Sequence, residues 1–373
     1  MTQLKKHSIG SILDLSVEAD IGQDGSLSND AADNVTRSMI NCIEIASSQP
    51  NSFVAVKLTG LSNPSILQNW TSALNFLYTS FDKFDSDKDG KLEQSDFFQF
   101  IRESFGDDKE NVAKTLFDNA DKDKDNLIDK FEFINVLSLD NPNARPLLIC
   151  NDDFHLKQQD FEDYEKMLNR LKELCDFAQV KSVRLMIDAE QTYFQPAIDY
   201  VAMKFSKDYN KFDNKNGPMI FNTYQMYLKE STERLTRNYN LSSRDQFVFA
   251  AKLVRGAYLF SERKRAKELG YPDPIHDTLE DTHESYDYGV EFLLNKLSEF
   301  QKGSNGQLDI SNSPLAFMVA SHNKKSIIKA YKKMESLDIS RKSGSVLFGQ
   351  LLGIYKFTQI SKLFTLLMFD CIF

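Results

Sequence analysis

Residues 85 to 96 read DSDKDGKLEQSD and set carboxylates at alternate positions of a short loop: Asp85, Asp87 and Asp89 at positions 1, 3 and 5, with Gly90 at 6, Leu92 at 8 and Asp96 at 12. Calcium takes about six to eight hard oxygen ligands at about 2.3–2.6 Å, and carboxylates on every second residue supply them while a glycine lets the chain turn back. Lys91, at position 7, would offer only its backbone carbonyl. A second stretch, DKDKDNLIDKFE from 121 to 132, presents Asp121, Asp123, Asp125, Asp129 and a terminal Glu132, with Ile128 at the apolar position and Asn126 where glycine is usual. Asparagine tolerates a positive φ better than most residues. Aspartate is one methylene shorter than the usual terminal glutamate, so Asp96 makes the first loop the weaker or more magnesium-tolerant of the two.

The loops start 36 positions apart, and the intervening FFQFIRESF and NVAKTLFDNA fit an exit and an entry helix. The pair therefore matches the EF-hand pattern twice over, which is far more specific than one acidic turn. Within the two loops ten carboxylates face five lysines, an excess charge that two calcium ions would offset. Whether such sites regulate or only stabilise is open, because a sensor needs a target for an exposed apolar groove.

The rest of the chain must be a larger β/α unit. Strand-like runs occur as SILDLSV from Ser11, FVAVKL from Phe53, VRLMID from Val183, MIFNTY from Met219, FVFAAKLV from Phe247, LAFMVA from Leu315 and VLF from Val346. Most are followed by helix-like sequence, and near-continuous apolar strands fit a parallel sheet covered on both faces. Seven such units favour a (β/α)8 TIM-type barrel, although a doubly wound sheet would alternate in the same way. The gap from Gly60 to Lys181 is too long for one crossover, so an inserted all-α module holds the acidic loops. The expected division is 1–64 and 146–353 for the barrel, 65–145 for the EF-hand pair and 354–373 for an apolar tail.

Among 373 residues, 45 are Lys or Arg and 54 Asp or Glu, a net charge of −9 that argues against nucleic acid as a partner. The cysteines, Cys42, Cys150, Cys175 and Cys371, form no CxxC pair and read as reduced thiols. No stretch reaches the about 18 apolar residues of a transmembrane segment. The nearest, KLFTLLMFDCIF, is short and broken by Asp370, while peripheral membrane association stays open. The opening MTQLKKHSIG shows no targeting signal.

No GxGxxG occurs, so a Rossmann nucleotide site has no support. Four segments in order, LMIDAEQTYFQPAI from Leu185, MIFNTYQMYLK from Met219, AKLVRGAYL from Ala251, and MVASHN from Met318 leading to VLFGQLLG, resemble the proline dehydrogenase family, and SILDLSVEAD and FVAVKLTGL extend the likeness. The resemblance implies an FAD-dependent oxidation of L-proline to Δ1-pyrroline-5-carboxylate, with a quinone as electron acceptor, in proline catabolism within mitochondria. It also implies that Lys57 and Asp188, walled by Tyr258 and Leu351, line the substrate pocket, and that Gln225, Lys252, Arg255 and His322 contact FAD. Cations such as Lys252 and Arg255 suit a flavin dinucleotide, whose pyrophosphate and reduced ring are anionic. Glu190, Tyr193, Asn222 and Tyr224 are expected to pack around the site.

After VLFGQLLG the family normally continues through an eighth strand and a helix with paired arginines that grip the substrate carboxylate. Here no arginine follows Arg341, and lysine does not replace planar bidentate recognition. On this reading the barrel is incomplete and the chain has little or no proline oxidation. Two rivals remain: a calcium-binding protein with a silent barrel, and a barrel aldolase using Lys57 or Lys252 as a Schiff-base nucleophile.

Overall fold

A computed structural model describes residues 10–15, 27–49, 51–149, 151, 154–304 and 308–351. Its strands are β1 (Ile12–Leu13), β2 (Phe53–Val56), β3 (Lys91–Glu93), β4 (Leu127–Asp129), β5 (Arg184–Ile187), β6 (Ile220–Gln225), β7 (Phe249–Val254), β8 (Leu315–Ala320) and β9 (Val346–Gly349). The helices are α1 (Asn29–Ser47), α2 (Pro64–Phe84), α3 (Gln94–Phe105), α4 (Glu110–Ala120), α5 (Lys130–Val136), α6 (Arg145–Ile149), α7 (Gln158–Lys181), α8 (Gln195–Tyr209), α9 (Ser231–Arg244), α10 (Leu259–Leu269), α11 (Leu279–Ser304) and α12 (Lys324–Ser336). Short 3-10 turns span Leu58–Gly60, Asp107–Lys109 and Arg341–Ser343.

Seven strands form one parallel sheet in the order β1-β2-β5-β6-β7-β8-β9, each at the position its apolar run predicts. Successive strand residues face opposite sides, which divides each run between a helix-covered face and an inner one. Phe53, Met186, Phe221, Ala250, Ala316 and Met318, drawn from β2 through β8, make a single inner cluster. Among the described residues β1 and β9 are not paired with each other, so the sheet is a curled half-barrel and not a closed eight-stranded barrel. The expected apolar tail from 354 lies outside the described residues, as do Cys150 and Cys371.

Helix faces follow the apolar spacing. In α1, Val35, Met39, Ile43 and Ala46 are buried, and Ser28 caps the start by accepting from the Ala31 N–H at 3.2 Å. Pro64 opens α2 behind Asn63, whose side chain accepts from the Ser65 N–H. The same helix buries Trp70, Leu74 and Leu77 and then runs directly into the first acidic loop. Phe81, Phe97, Phe100, Phe117 and Phe133 belong to one hydrophobic cluster with Val54, Val56 and Ile198. The helices between β2 and β5 therefore share a core with the outer face of the sheet.

Candidate active site and acidic loops

The register of the sheet builds the polar site. Ala55, Met186, Phe221, Ala250 and Ala316 lie opposite one another in successive strands. Two residues further along every strand the side chains return to the same inner face. That next row contains Lys57, Asp188, Thr223, Lys252 and Met318, of which Thr223↔Lys252 and Lys252↔Met318 are paired directly. Lys57 and Asp188 fall just past the paired Val56 and Ile187, and the Asp188 N–H still donates to the Val56 carbonyl at 2.9 Å. An apolar row beneath a charged row thus places both lysines and the aspartate at the carboxyl ends of the strands.

Asp188 does not cap the following helix, whose first residue is Gln195. Its carboxylate instead forms an ion pair with the Lys252 ammonium, across the intervening β6. Both side chains are mostly buried, 17% and 13% exposed, so solvent screens this pair weakly. Lys57 opens the 3-10 turn Leu58–Gly60, and among the described residues no carboxylate lies within ion-pair distance of its ammonium. Thr223 between them is 2% exposed, and its Oγ1 has no hydrogen-bond partner among the described residues.

Above this row, Gln225 is held at both ends: its Nε2 donates to the Glu190 carbonyl at 2.8 Å and its Oε1 accepts from the Ala257 N–H at 3.1 Å. One amide hydrogen remains available to a ligand. Glu190 is 5% exposed and accepts from the Thr59 N–H at 3.3 Å and the Thr59 hydroxyl at 2.6 Å. Burial pushes its carboxyl up to about 6 against those hydrogen bonds and the pull of Lys57. This contact ties the turn after β2 to the turn after β5, and so fixes Lys57 relative to Asp188. A second clamp joins Glu262 of α10 to the Thr192 N–H and hydroxyl at 2.6 and 2.7 Å.

Arg255 follows β7, and among the described residues its hydrogen bonds go to an imidazole and two hydroxyls, with Asp287 acting on it only through space. Its Nε donates to His283 Nδ1 at 3.1 Å, its two terminal nitrogens to the Ser321 and Ser326 hydroxyls at 2.8 and 2.9 Å, and the Tyr286 ring centroid lies 4.3 Å away. Burial lowers its affinity for the proton. A guanidinium oriented by neutral groups keeps its charge for an anion. His322 Nε2 accepts from the Leu351 N–H at 3.0 Å, bringing those two expected site residues together beyond β8 and β9. Leu351 itself is 68% exposed. The Tyr258 N–H donates to the Tyr227 hydroxyl at 3.2 Å at the start of α10. Gly256 between Arg255 and Ala257 has φ of 154°, and a Cβ there would strike the Tyr227 ring at 2.5 Å.

Glu262, His283, Ser321 and Ser326 are the side chains that sequence reasoning missed, and Glu190, expected to pack around the site, holds the turn of Lys57. Glu190 stands two positions after Asp188 and carried a signal only through that proximity. The others act over separations no local pattern encodes, up to 71 positions for Ser326.

The acidic stretches form helix-loop-helix units: α2 and α3 flank the first, α4 and α5 the second. Their middles pair as the antiparallel ribbon β3–β4, with Leu92 opposite Ile128. Gly90 and Asn126 both adopt positive φ, 83° and 63°, which accounts for the residue types at position 6. One oxygen from each of Asp85, Asp87 and Asp89 lies within 4.8 Å of the others, as does one from each of Asp121, Asp123 and Asp125. Asp96 and Glu132 both fold back on the backbone N–H three residues earlier, at 3.4 and 2.9 Å. Asp85 is 9% exposed and its Oδ1 is buried with no partner among the described residues. The Lys91 side chain crosses to Asp125 at 3.2 Å, leaving only its carbonyl for its own loop.

A curled parallel sheet with its polar groups gathered at the strands' carboxyl ends defines an α/β-barrel class of protein. Comparison with known proteins narrows this. The family profile described as proline dehydrogenase matches residues 1–358. Proline dehydrogenase 1, mitochondrial, of Dictyostelium discoideum is 30% identical over 367 residues, which cover 96% of this chain and 52% of that protein. The human protein of the same name is 41% identical over 189 residues, 51% of this chain and 29% of its own. In structure, proline utilization A from Bdellovibrio bacteriovorus, inactivated by N-propargylglycine, superposes with a TM-score of 0.57 at 14% identity, covering 94% of this chain and 27% of that one. The chain belongs to the proline dehydrogenase family, and it spans about half the length of the Dictyostelium relative. No helix among the described residues is long and apolar enough to cross a membrane.

Proposed function

We propose that the chain oxidises L-proline to Δ1-pyrroline-5-carboxylate in mitochondrial proline catabolism, with FAD as hydride acceptor and a quinone as final acceptor. The observation that carries this reading is the row of Lys57, Asp188 and Lys252 on the inner face of the half-barrel, with Arg255 held ready for an anion beside it. FAD, when bound, supplies the acceptor for hydride from the substrate carbon beside the ring nitrogen. The donor set fits it: Arg255 offers charge to a pyrophosphate, and Gln225 and His322 offer hydrogen bonds. Lys57, with no acid in ion-pair range among the described residues, is the available anchor for a substrate carboxylate, and Asp188 restrains Lys252 beside it. Glu190 holds the turn that carries Lys57.

The test is the absorbance spectrum of the whole chain saturated with FAD, before and after proline. Bleaching of the flavin bands is expected, with Lys57 anchoring the substrate carboxylate in place of the arginine pair on which the expectation of little or no turnover rests, and an unchanged spectrum with flavin bound overturns the reading. Trapping of a carbonyl substrate by borohydride would favour an aldolase instead. Against that alternative for Lys252, its ammonium is engaged with Asp188.

We further propose that residues 65–145 are an EF-hand pair that binds calcium, through Asp85, Asp87, Asp89, Lys91 by its carbonyl and Asp96 in the first loop, and Asp121, Asp123, Asp125, Asp129 and Glu132 in the second. The buried, unpartnered Asp85 Oδ1 supports this, since an isolated carboxylate oxygen out of water is costly without a cation or donor. Calorimetric titration of the whole chain with calcium tests it, and absence of binding heat at millimolar calcium overturns it.

A further inference from the structure

A basic side chain of the half-barrel sits on the second acidic loop. Arg244 is the last residue of α9, and its Nη1 donates to both carboxylate oxygens of Asp129 at 2.9 and 2.7 Å. Its Nε donates to Asp245 at 2.8 Å, and its guanidinium lies 4.9 Å from the Phe131 ring centroid. Lys207 of α8 in turn holds Asp245 at 2.7 Å. The guanidinium is therefore fixed from the barrel side by two helices, at a position 115 residues away from the carboxylate it contacts. Asp129 is the ninth residue of the loop, and its Oδ1 also accepts from the Phe131 and Glu132 N–H groups that begin α5.

Resting on the calcium reading above, we propose that Arg244 is a built-in competitor for the cation of the second loop, so that the barrel sets the affinity of the inserted site. Two effects act in the same direction. The guanidinium neutralises Asp129, which removes one negative charge from the field that attracts a dication. It also fixes a positive charge beside the loop, where the pair is 37% and 31% exposed, so that solvent and salt screen the effect in part. Coupling is reciprocal: a cation that draws on Asp129 must loosen Arg244 by the same free energy. The first loop has no such contact from the barrel among the described residues, and its Asp85 Oδ1 is unpartnered. The inference therefore separates the two loops by origin of charge and not by ligand count.

The test is calorimetric titration of the whole chain with calcium chloride, comparing wild type, Arg244→Gln, Arg244→Lys, Glu132→Gln and the Arg244→Gln/Glu132→Gln double variant. Arg244→Gln should tighten the apparent Kd of one site by about 5-fold, the lower end of a typical coupling between two sites, because the pair is partly exposed. Arg244→Lys should stay near wild type, because it keeps the charge. In the Glu132→Gln background the Arg244→Gln change should have no effect on the surviving site. Circular dichroism establishes that each variant is folded. An unchanged or weaker Kd in Arg244→Gln overturns the inference while leaving calcium binding intact. Absence of calcium binding by wild type and every variant overturns the calcium reading, and this inference with it.

Discussion

Replacing Glu190 by glutamine probes the buried carboxyl that ties the turn of Lys57 to the turn of Asp188. Glutamine keeps the shape and can accept from the Thr59 N–H, but it does not titrate. Burial raises the Glu190 carboxyl from an ordinary 4.5 to about 6. A folded-state value above the unfolded one means that the folded chain holds this proton more tightly. The resulting stabilisation is full below about pH 4.5 and is lost as pH rises through about 6. Its size is about 2 kcal/mol, since each tenfold step in proton affinity is worth about 1.4 kcal/mol. The stability of wild type minus that of Glu190→Gln should therefore fall by about 2 kcal/mol between pH 4.5 and pH 7.5. Urea unfolding of both proteins at four or five pH values in that range measures it, and taking the difference cancels every other titrating group. Parallel stability curves would refute the reasoning, because they would mean that Glu190 is no harder to ionise when folded than when unfolded.

The Arg234–Asp199 pair is more deeply buried, 4% and 6% exposed, and Asp199 also accepts from Gln195 and Asn222 at 2.9 and 3.0 Å. Asp199→Ala leaves the guanidinium with only the half-exposed Glu230 at 3.7 Å and should cost about 3 kcal/mol by urea unfolding, with an Asp199→Leu/Arg234→Met double variant recovering much of the loss. In whole chain loaded with FAD, Arg255→Ala should retain markedly less flavin after gel filtration than wild type, whereas equal flavin content would mean that its cation serves only Ser321 and Ser326. For calcium, Glu132→Gln and Asp85→Asn should each remove or weaken one of two calorimetric sites by at least about tenfold, and two unaltered sites in both variants would exclude the loops as the ligands.

The strands were legible because each carries a mostly apolar run, and the acidic loops because their carboxylates recur at every second position, the pattern a calcium loop would require. Asn126 shows the second kind of signal well: its substitution for glycine in the sequence corresponds to φ of 63° in the structure. What the sequence could not give is register. Parity places Lys57, Asp188 and Lys252 on one face of their strands, but only the pairing of Val56 with Ile187 and of Thr223 with Lys252 puts them in one row. The partner of Asp188 was left open for the same reason, since Lys252 lies 64 positions away. Gln225, expected to face the flavin, also uses both ends of its amide to hold the turns after β5 and β7, a role visible only when those turns are brought together.

That dependence on register also explains how a long insertion is accommodated beside the site. The chain leaves β2 at Val56, makes the turn containing Lys57 and Thr59, passes through both acidic loops, and returns along α7 to enter β5 at Arg184. Although more than a hundred residues intervene, β2 and β5 remain hydrogen-bonded neighbours over four paired positions. Two features hold them so. The core of the insert is continuous with the outer face of the sheet, so it cannot swing away without exposing Trp70, Leu74 and Phe81. On the inner side, the Thr59–Glu190 contact closes the loop directly across its mouth. The Lys57–Asp188 adjacency is thus secured at the two ends of the insertion.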